Sequence, residues 1–451
     1  MTKLQPLRHG TARRNDGRTE NMSVRPHARR SSRRRFLKQL ATGAAAALIR
    51  RTAFAQSARP RIVVVGGGFA GASCARALRI ADPGLEVTLV EPNRAFVACP
   101  FSNAVIAGLR PFEAQRFGYD RITADGIVLA PLPATAIDSD GHTVTLSNGS
   151  KLPYDRLVLA PGIDFRWDAL PGYPEEAAEK IPHAWKAGEQ TLLLRRQLEA
   201  MEDGGLVVIS VPANPFRCPP GPYERASLIA HYLKTRKPRS KLIVLDAKDQ
   251  FSKQKLFQGA WKELYGDQLE WVSLSDGGKV TSVDVATNTL VTDFGRHQAS
   301  VANVIPPQKA GRIAEFAGVS DRTGWCPIDP ITFESRLKPS IHIVGDATIA
   351  GAMPKSAFAA NAQAKVCAAA VARLVRGEAP AEPKLINTCY SLVAPDYGIS
   401  VAGVYRPANG LLADVEGAGG VSPLDAPRTT RIEEAVLAEA CFRTIIHEAF
   451  G

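Results

Sequence analysis

The sequence predicts an α/β protein with two Rossmann-like domains of the dinucleotide-binding type and a C-terminal α+β domain. Two observations predict the paired domains. The strand-like residues 61–65 run into the glycine-rich residues 66–71, whereas the apolar residues 205–211 run into a loop that lacks those glycines. A helical stretch and a further apolar run follow each loop, which is the βαβ order of a parallel sheet.

The N-terminal 55 residues resemble a twin-arginine export signal. A basic, arginine-rich segment at residues 32–38 precedes an apolar run at 40–49, and residues 53–55 read Ala-Phe-Ala. The apolar run is too short to span a bilayer, and the small residues after it are typical of a cleavage site. We therefore expect export to the periplasm and cleavage after Ala55. The alternative is a disordered basic tail that binds nucleic acid.

The basic character of the chain belongs to this segment. It holds 14 of the 56 Lys and Arg residues and 2 of the 44 Asp and Glu residues, which leaves 42 of each sign in the rest. The remaining 396 or so residues suffice for two or three domains and give no support for a nucleic-acid partner. No later run approaches 18 apolar residues, so we expect no integral membrane segment in the mature chain. All seven cysteines would lie in an oxidising compartment.

The first glycine loop predicts a bound dinucleotide. Gly66, Gly68 and Gly71 precede a helical stretch at 69–80, and the next strand ends at the acidic Glu91. Glycines at this spacing let the backbone and the helix N-terminus approach a pyrophosphate, and an acid about twenty residues later is placed to bind a ribose.

Two later segments indicate that the nucleotide is FAD. Residues 154–162, which include Ala160 and Gly162, follow a hairpin signal and resemble the strand and turn that close the first FAD-binding segment of two-dinucleotide flavoproteins. Residues 341–347 resemble their last FAD strand, in which Asp346 after Gly345 would hold the ribityl chain. Asp346 could instead be an ordinary cap of the helix predicted at 356–374.

These segments divide the chain into five parts. We predict a signal peptide, an FAD-binding domain in two pieces, a second domain inserted between them, and a C-terminal domain, with the bounds 1–55, 56–165 and 304–378, 166–303, and 379–451.

The second loop argues against NAD(P)H. Residues 212–222 contain five prolines, which lack the backbone donors that a pyrophosphate needs, and Cys218 lies where glycine would allow close approach. Sulfur chemistry in place of nicotinamide binding is the prediction for this loop.

Cys326 is the partner that we predict for Cys218. It lies just upstream of the Asp346 strand, so both sulfurs would lie near the flavin as a redox disulfide open to a sulfur nucleophile. A structural disulfide or two buried thiols are the alternatives. Glu224 near the start of the next helix could serve as a base or proton shuttle, or it could cap that helix.

The other cysteines carry weaker signals. Cys99 lies in a loop that should run beside the flavin, where it could bind the cofactor covalently or be a buried thiol. Cys74 and Cys367 lie in alanine-rich helical stretches, and core packing is the expectation for them. Cys389 and Cys441 receive no assignment.

Taken together, these segments resemble the flavoprotein subunit of flavocytochrome c sulfide dehydrogenase. The resemblance rests on the FAD strands, the Cys99 and Cys218 segments, the Trp-Cys-Pro run at 325–327, the Met-Pro-Lys-Ser run at 353–356 and the tail at 387–398. It implies FAD linked to Cys99, a redox disulfide matching Cys218 and Cys326, and a heterodimeric cytochrome c partner. No C-x-x-C-H motif occurs in the chain, so any haem belongs to another polypeptide. No metal site is predicted.

The resemblance implies a sulfide dehydrogenase. Sulfide would attack the disulfide, with Cys326 closer to the flavin, and electrons would pass through FAD to the cytochrome while sulfane sulfur is released. Lys355 would stabilise the reduced flavin, or it could form an exposed ion pair. The alternatives are a sulfide:quinone oxidoreductase, disfavoured because no apolar membrane-docking helix pair stands out in the tail, and an accessory flavoprotein that activates a thiosulfate-oxidising complex.

Overall fold

The computed structural model describes residues 59–451, so the predicted export signal lies outside the described residues. The first segment of the fold carries ten strands and three helices. The strands are β1 Arg61–Val65, β2 Glu86–Val90, β3 Ala95–Val97, β4 Arg116–Gly118, β5 Val128–Ala130, β6 Ala134–Asp138, β7 Thr143–Leu146, β8 Lys151–Pro153, β9 Arg156–Leu159 and β10 Ile163–Phe165. The helices are α1 Phe69–Ala81, α2 Ser102–Ile106 and α3 Asp120–Ala124.

The second segment supplies eight strands and three helices. The strands are β11 Leu206–Val211, β12 Lys241–Asp246, β13 Leu269–Val272, β14 Val280–Asp284, β15 Thr289–Thr292, β16 Arg296–Gln298, β17 Val301–Val304 and β18 Gln308–Ala310. The helices are α4 Glu189–Ala200, α5 Gly221–Arg236 and α6 Gln254–Leu264.

The remaining chain forms seven strands and three helices. They are α7 Ile313–Phe316, β19 Cys326–Pro327, β20 Ile341–Ile343, β21 Thr348–Ile349, α8 Ala357–Leu374, β22 Leu385–Ala394, β23 Tyr397–Ala408, β24 Leu411–Asp414, β25 Gly420–Val421 and α9 Arg428–Phe450.

Two parallel sheets confirm the predicted α/β class. The first has the strand order β20-β9-β1-β2-β5, and the second has the order β13-β12-β11-β17. Because β20 joins the first sheet beside β9 after the second sheet has been completed, the first sheet is discontinuous in sequence, as expected. The antiparallel pair of β10 with β18 forms a connection between the two. The exact domain bounds stay a prediction.

Small residues let two helices pack closely against the first sheet. Cys74 on α1 and Cys367 on α8 are both fully buried, and the Asn361 side chain donates to Ser73 Oγ at 2.9 Å across the same interface. Burial raises the pKa of the Cys367 thiol, and the neighbouring Cys74 raises it further. Both cysteines thus occupy the core of the first domain, where a thiol behaves as a small apolar group.

The C-terminal domain is a long hairpin with a helix packed on it. Strands β22 and β23 pair antiparallel, and β24 and β25 extend the sheet. Helix α9 buries Arg431, Glu434, Ala438, Phe442 and Ile445, at the three- and four-residue spacing of one helical face. At its end Phe450 stacks on Phe96 with ring centroids 5.2 Å apart, which ties the helix to the first domain. Within residues 59–451 no helix is long and apolar enough to cross a membrane.

Candidate active site

The glycine loop after β1 is shaped for close backbone approach. A Cβ on Gly71 would overlap the carbonyl oxygen of Gly66, and a Cβ on Gly66, where φ is +102°, would overlap the carbonyl oxygen of Ala160. Only glycine fits either position, since the strand-to-helix turn brings these backbone atoms together. The amide groups at the start of α1 are consequently free to face a phosphate, as predicted for a pyrophosphate site.

Asp346 lies in the same cavity as this loop. Gly68, Ala160, Gly162 and Gly345 line the cavity with it. Its Oδ1 atom is buried and finds no hydrogen-bond partner among the described residues. A buried carboxylate oxygen without a donor is expensive, so a hydroxyl-bearing group such as a ribityl chain fits this position. Burial raises the pKa of this carboxyl, an effect that Arg217 and Lys355 oppose.

The alternative role of Asp346 as a helix cap is wrong. The residue that precedes α8 is Ser356, and its side chain accepts from the Ala359 amide at 3.0 Å. This is an ordinary serine N-cap ten residues after Asp346. Asp346 is therefore left for the cavity.

Glu91 lies beside the glycine loop at the end of β2. Its Oε2 accepts from the Gly67 amide at 2.8 Å, and its Oε1 accepts from the backbone and side-chain amides of Asn93 at 2.8 and 2.7 Å. It contacts the loop and does not line the cavity with Asp346. Its contact with a ribose stays a prediction.

Cys99 lies in the loop between β3 and α2 and lines the cavity. Its sulfur is 3.7 Å from the carbonyl oxygen of Trp185, and the guanidinium of Arg217 donates to the same oxygen. Charge on Arg217 interacts with Cys99, Asp346 and Cys218. Arg217 in the second loop is therefore a cation close to the predicted covalent site, and no sequence motif had singled it out.

The second loop turns its cysteine into the cavity. Cys218 has φ of +57°, its amide donates to the Lys355 carbonyl oxygen at 2.7 Å, and helix α5 begins three residues later. A left-handed conformation at a residue other than glycine is strained and often marks a functional site. A Cβ on Gly221 would lie 2.8 Å from the Trp185 ring and 3.0 Å from Cys218 Sγ. Gly221 is therefore needed to seat the sulfur.

Cys326 does not line this cavity, which argues against the predicted pair of Cys218 with Cys326. Cys326 is fully buried in β19, where its amide donates to the Ala347 carbonyl oxygen behind the Asp346 strand. Burial raises the pKa of its thiol to about 12, and its charged neighbours are Lys355 and Asp321. The sequence separation of 20 residues from Asp346 suggested proximity to the cofactor, but the short strand turns this thiol into the core.

Cys389 takes the place that we predicted for Cys326. It lies on β22, lines the same cavity as Cys218, and is the charged group with the largest effect on the Cys218 thiol. Burial raises the pKa of both thiols, and Glu224 raises the pKa of both further. All seven cysteines, which fall within residues 59–451, are free thiols in this structure. The sequence held one signal for Cys389, its position in the tail segment of the family resemblance.

Glu224 lines the same cavity as the two thiols and accepts hydrogen bonds from two other parts of the fold. Its Oε2 accepts from the Asn103 side chain at 2.8 Å, and its Oε1 accepts from the Leu392 amide at 2.9 Å. Burial raises the pKa of the carboxyl, while these two donors lower it. Because its oxygens bond outside α5, Glu224 does not cap that helix. A buried carboxyl with a raised pKa in a cavity is suited to proton transfer.

Lys355 is half-buried and bonds to backbone. Its ammonium donates to the carbonyl oxygens of Asp346 and Thr348 at 2.8 and 2.6 Å and lies 4.0 Å from the centre of the Trp325 ring. Burial lowers its pKa to about 8. The alternative of an exposed ion pair is therefore wrong, since the ammonium faces carbonyl oxygens and an aromatic ring.

The cavity joins three parts of the fold. The glycine loop and Asp346 come from the first domain, and the second domain and the C-terminal domain complete the wall. The residues from those two are Trp185, Arg217, Cys218, Gly221, Glu224, Arg225, Thr388, Cys389, Tyr390, Leu392, Ala438, Cys441, Phe442 and Ile445. No group of three or more His, Cys, Asp or Glu residues in the described chain could hold a metal ion.

The fold and the cavity define a flavoprotein of the pyridine nucleotide-disulphide oxidoreductase class, whose family profile matches residues 60–208. Two more profiles describe one particular family within this class. The central part of the sulfide dehydrogenase [flavocytochrome c] flavoprotein chain matches residues 191–306, and the flavin-binding part of flavocytochrome c sulphide dehydrogenase matches residues 381–450. The chain belongs to this family of sulfide-oxidising flavoproteins.

Similar proteins agree with this family. A sulfide dehydrogenase [flavocytochrome c] flavoprotein chain from Chlorobaculum thiosulfatiphilum is 71% identical over 45 residues, 10% of this chain and 94% of that sequence. A sulfide-quinone reductase from Aquifex aeolicus is 29% identical over 194 residues, which are 40% of this chain and 41% of the relative. The mouse mitochondrial sulfide:quinone oxidoreductase is 21% identical over 308 residues, 64% and 65% of the two chains. The match thus spans less than two thirds of either quinone reductase.

Solved structures share the fold. The sulfide:quinone oxidoreductase of Aquifex aeolicus superimposes with a TM-score of 0.68 at 18% identity, covering 86% of this chain and 92% of that chain. A NAD-dependent persulfide reductase from A. fulgidus gives a TM-score of 0.59 at 19% identity, covering 85% and 77%. At these identities the likeness concerns the architecture of the two sheets.

Proposed function

We propose that the chain oxidises sulfide through a redox pair of Cys218 and Cys389 and passes the electrons through FAD to a cytochrome c. One observation carries the proposal. The two thiols and the buried carboxyl of Glu224 line the same cavity as Gly345 and Asp346, where the cofactor is expected. Family membership supports sulfide as the substrate.

The sulfur step uses the two cysteines in the oxidised, bonded form. Hydrosulfide attacks Cys389 Sγ, a sulfur–sulfur bond forms there, and the bond to Cys218 breaks so that its electron pair leaves on Cys218 as a thiolate. This direction follows from the neighbours, because Arg217 lowers the pKa of the Cys218 thiol and is not among the charges that act on Cys389. Cys389 keeps the added sulfur, which leaves as sulfane sulfur or is extended by further sulfide.

FAD would accept that electron pair and release it one electron at a time. The residues that fit it are Asp346 for the ribityl chain, the loop of Gly66 to Gly71 for the pyrophosphate, and Glu91 for the ribose. Lys355 lies against Asp346 and would favour negative charge on that side of the cavity. Glu224 would take the proton from the incoming sulfide.

A covalent link through Cys99 extends this proposal. The Cys99 sulfur lines the cavity and is near enough to Arg217 for the two to interact electrostatically. Peptide mass spectrometry of the purified protein should find FAD on the Cys99 peptide and, without reductant, a link between the Cys218 and Cys389 peptides. An unmodified Cys99 would remove the covalent link, and a Cys218 link to Cys326 would restore the original pairing.

Export by the twin-arginine route and a periplasmic location are part of the same proposal. The support is the sequence of residues 1–55, in which arginines precede a short apolar run. The same mass spectrum tests it, because the mature chain should begin at Gln56. A start at Met1 in a periplasmic fraction would contradict cleavage.

The electron acceptor needs a direct comparison. The purified protein should reduce cytochrome c with sulfide faster than it reduces a soluble quinone, and NADH should not bleach the flavin, because prolines interrupt the second loop. Faster quinone reduction would favour the quinone reductases whose fold the chain shares.

A further inference from the structure

Lys253 is a buried lysine at the edge of the sulfur site. It lies before α6 in the left-handed conformation, with φ of +63°, and is 8% exposed. Its ammonium donates to the carbonyl oxygen of Cys389 at 3.0 Å and to Ser391 Oγ at 2.9 Å on β22, and it reaches the Ile399 carbonyl oxygen on β23 at 3.5 Å. Three donors therefore meet three acceptors, and both strands of the C-terminal hairpin are tied to the second domain.

The charges that face Lys253 come from three other parts of the fold. They are Cys389 on β22, Glu224 on α5 with Cys218 just before it, and Glu434 on α9. Arg225 also lowers the pKa of Glu224, and Arg217 also lowers the pKa of Cys218. For Cys389 the cation that acts on the thiol is Lys253, with Glu224 acting in the opposite sense.

A buried ammonium is costly unless negative charge compensates it. The three hydrogen bonds of Lys253 go to neutral oxygens, so they satisfy its donors without neutralising its charge. The neighbouring thiols and carboxyl would provide compensation when one of them ionises. An anion that forms on Cys389 during sulfur transfer is in turn stabilised by the ammonium, since Coulomb energies are large in a dry site.

We propose that Lys253 is a positioning residue of the sulfur site, which fixes the strand that carries Cys389 and supplies the positive charge that stabilises Cys389 as a thiolate in the reduced enzyme and as a persulfide anion after sulfide has attacked it. This inference rests on the proposed function for its role in turnover. The pKa shifts of these groups agree with this role. Burial lowers the pKa of Lys253 while the thiols raise it, and Lys253 lowers the pKa of both thiols.

The test measures the thiol itself. The reduced holoenzyme is alkylated with iodoacetamide between pH 6 and 10, and the rate at Cys389 is followed by peptide mass spectrometry, since the tryptic peptide of Cys389 contains no second cysteine. Lys253→Gln keeps hydrogen-bond donors without the charge, and Lys253→Met removes both. At pH 8 both variants should alkylate about tenfold more slowly, because thiolate reacts and one pKa unit is a factor of ten.

Two controls separate charge from folding. Lys253→Arg keeps the charge and should stay within about threefold of the wild-type rate. Lys248→Met removes another buried lysine, which pairs with Asp246 at 2.5 Å and is not among the charges that face the thiols, and it should leave the Cys389 profile unchanged.

The opposing outcomes are distinct. The charge role would be overturned if Lys253→Gln had the wild-type alkylation profile and the same melting temperature as Lys248→Met. It would also be overturned if the alkylation profile shifted in Lys253→Met and not in Lys253→Gln. Because alkylation requires no sulfide turnover, a failed sulfide assay with a shifted profile would count against the proposed function and in favour of the Lys253 inference.

Discussion

The loops after β1 and β11 occupy equivalent places in two parallel sheets and differ in what they present at the start of the following helix. The first, from Gly66 to Gly71, has no side chains in the way and offers backbone amides at the start of α1. The second replaces amides with prolines and brings the side chain of Cys218 to the start of α5. In the proposed function the same βαβ position would therefore serve a phosphate when the backbone is bare and a sulfur when one side chain is turned inward.

Removal of either redox sulfur is the strongest way to break this comparison. Cys218→Ser and Cys389→Ser should each lower sulfide-dependent flavin reduction by at least about 1,000-fold, since a hydroxyl cannot exchange a disulfide. Stopped-flow spectroscopy measures the rate. Cys326→Ser is the matched control and should remain near wild type, because its thiol is buried behind the cavity. Equal losses in all three variants would refute the assignment of Cys389.

An added methyl group tests the bare backbone of the first loop. Gly71→Ala should lose most of the bound flavin, because the new Cβ overlaps the Gly66 carbonyl oxygen and displaces α1 from the loop. Gly221→Ala in the second loop should keep the flavin and lower sulfide turnover by about tenfold through displacement of Cys218. Flavin absorbance per protein and turnover separate the two effects. Retained flavin in Gly71→Ala would show that the loop does not approach the cofactor closely.

Glu224→Gln sharpens the chemical role of the second loop. The rate of flavin reduction should fall by about 100-fold, as for the loss of a general base. Burial raises the pKa of Glu224, and a base acts when deprotonated, so the wild-type rate should decline as pH falls through that raised pKa. The variant should lack this decline. A variant that keeps the same acid limb would assign the limb to another group.

The smallest effect is expected when one proline of the second loop is replaced by glycine, the residue found at this kind of turn in the first loop. Pro219→Gly restores an amide and backbone freedom without removing Cys218, and NADH-dependent flavin reduction should stay undetectable, because four other prolines remain in residues 212–222. Flavin bleaching under anaerobic NADH measures it. Bleaching at a rate comparable with sulfide would show that the loop is a blocked nicotinamide site.

Local sequence patterns predicted most of the fold. The strand at 61–65 was confirmed to the residue and the apolar run at 205–211 to within one residue, because parallel strands buried on both faces are continuous apolar runs. The C-terminal hairpin was harder to predict, since β22 and β23 mix polar and apolar residues.

The site was predictable where it is local in sequence. Asp346, Cys99, Cys218 and Glu224 line the cavity, as expected from motifs within a few residues of them. Cys389 was missed because it is 171 residues from Cys218 in the sequence. No local pattern encodes a contact over that separation. The same holds for Lys253, whose contact on β22 is 136 residues away.

The late position of Cys389 in the sequence also determines when it becomes available during synthesis of the polypeptide. The phosphate loop that ends at Gly71 precedes Cys389 by 318 residues. At typical rates of synthesis this is a delay of roughly 15 to 60 seconds, during which domains that have emerged begin to fold. A ribosome-bound chain therefore has its glycine loop long before it has both Cys218 and Cys389, and a disulfide between these two cannot form until the hairpin strand has been made.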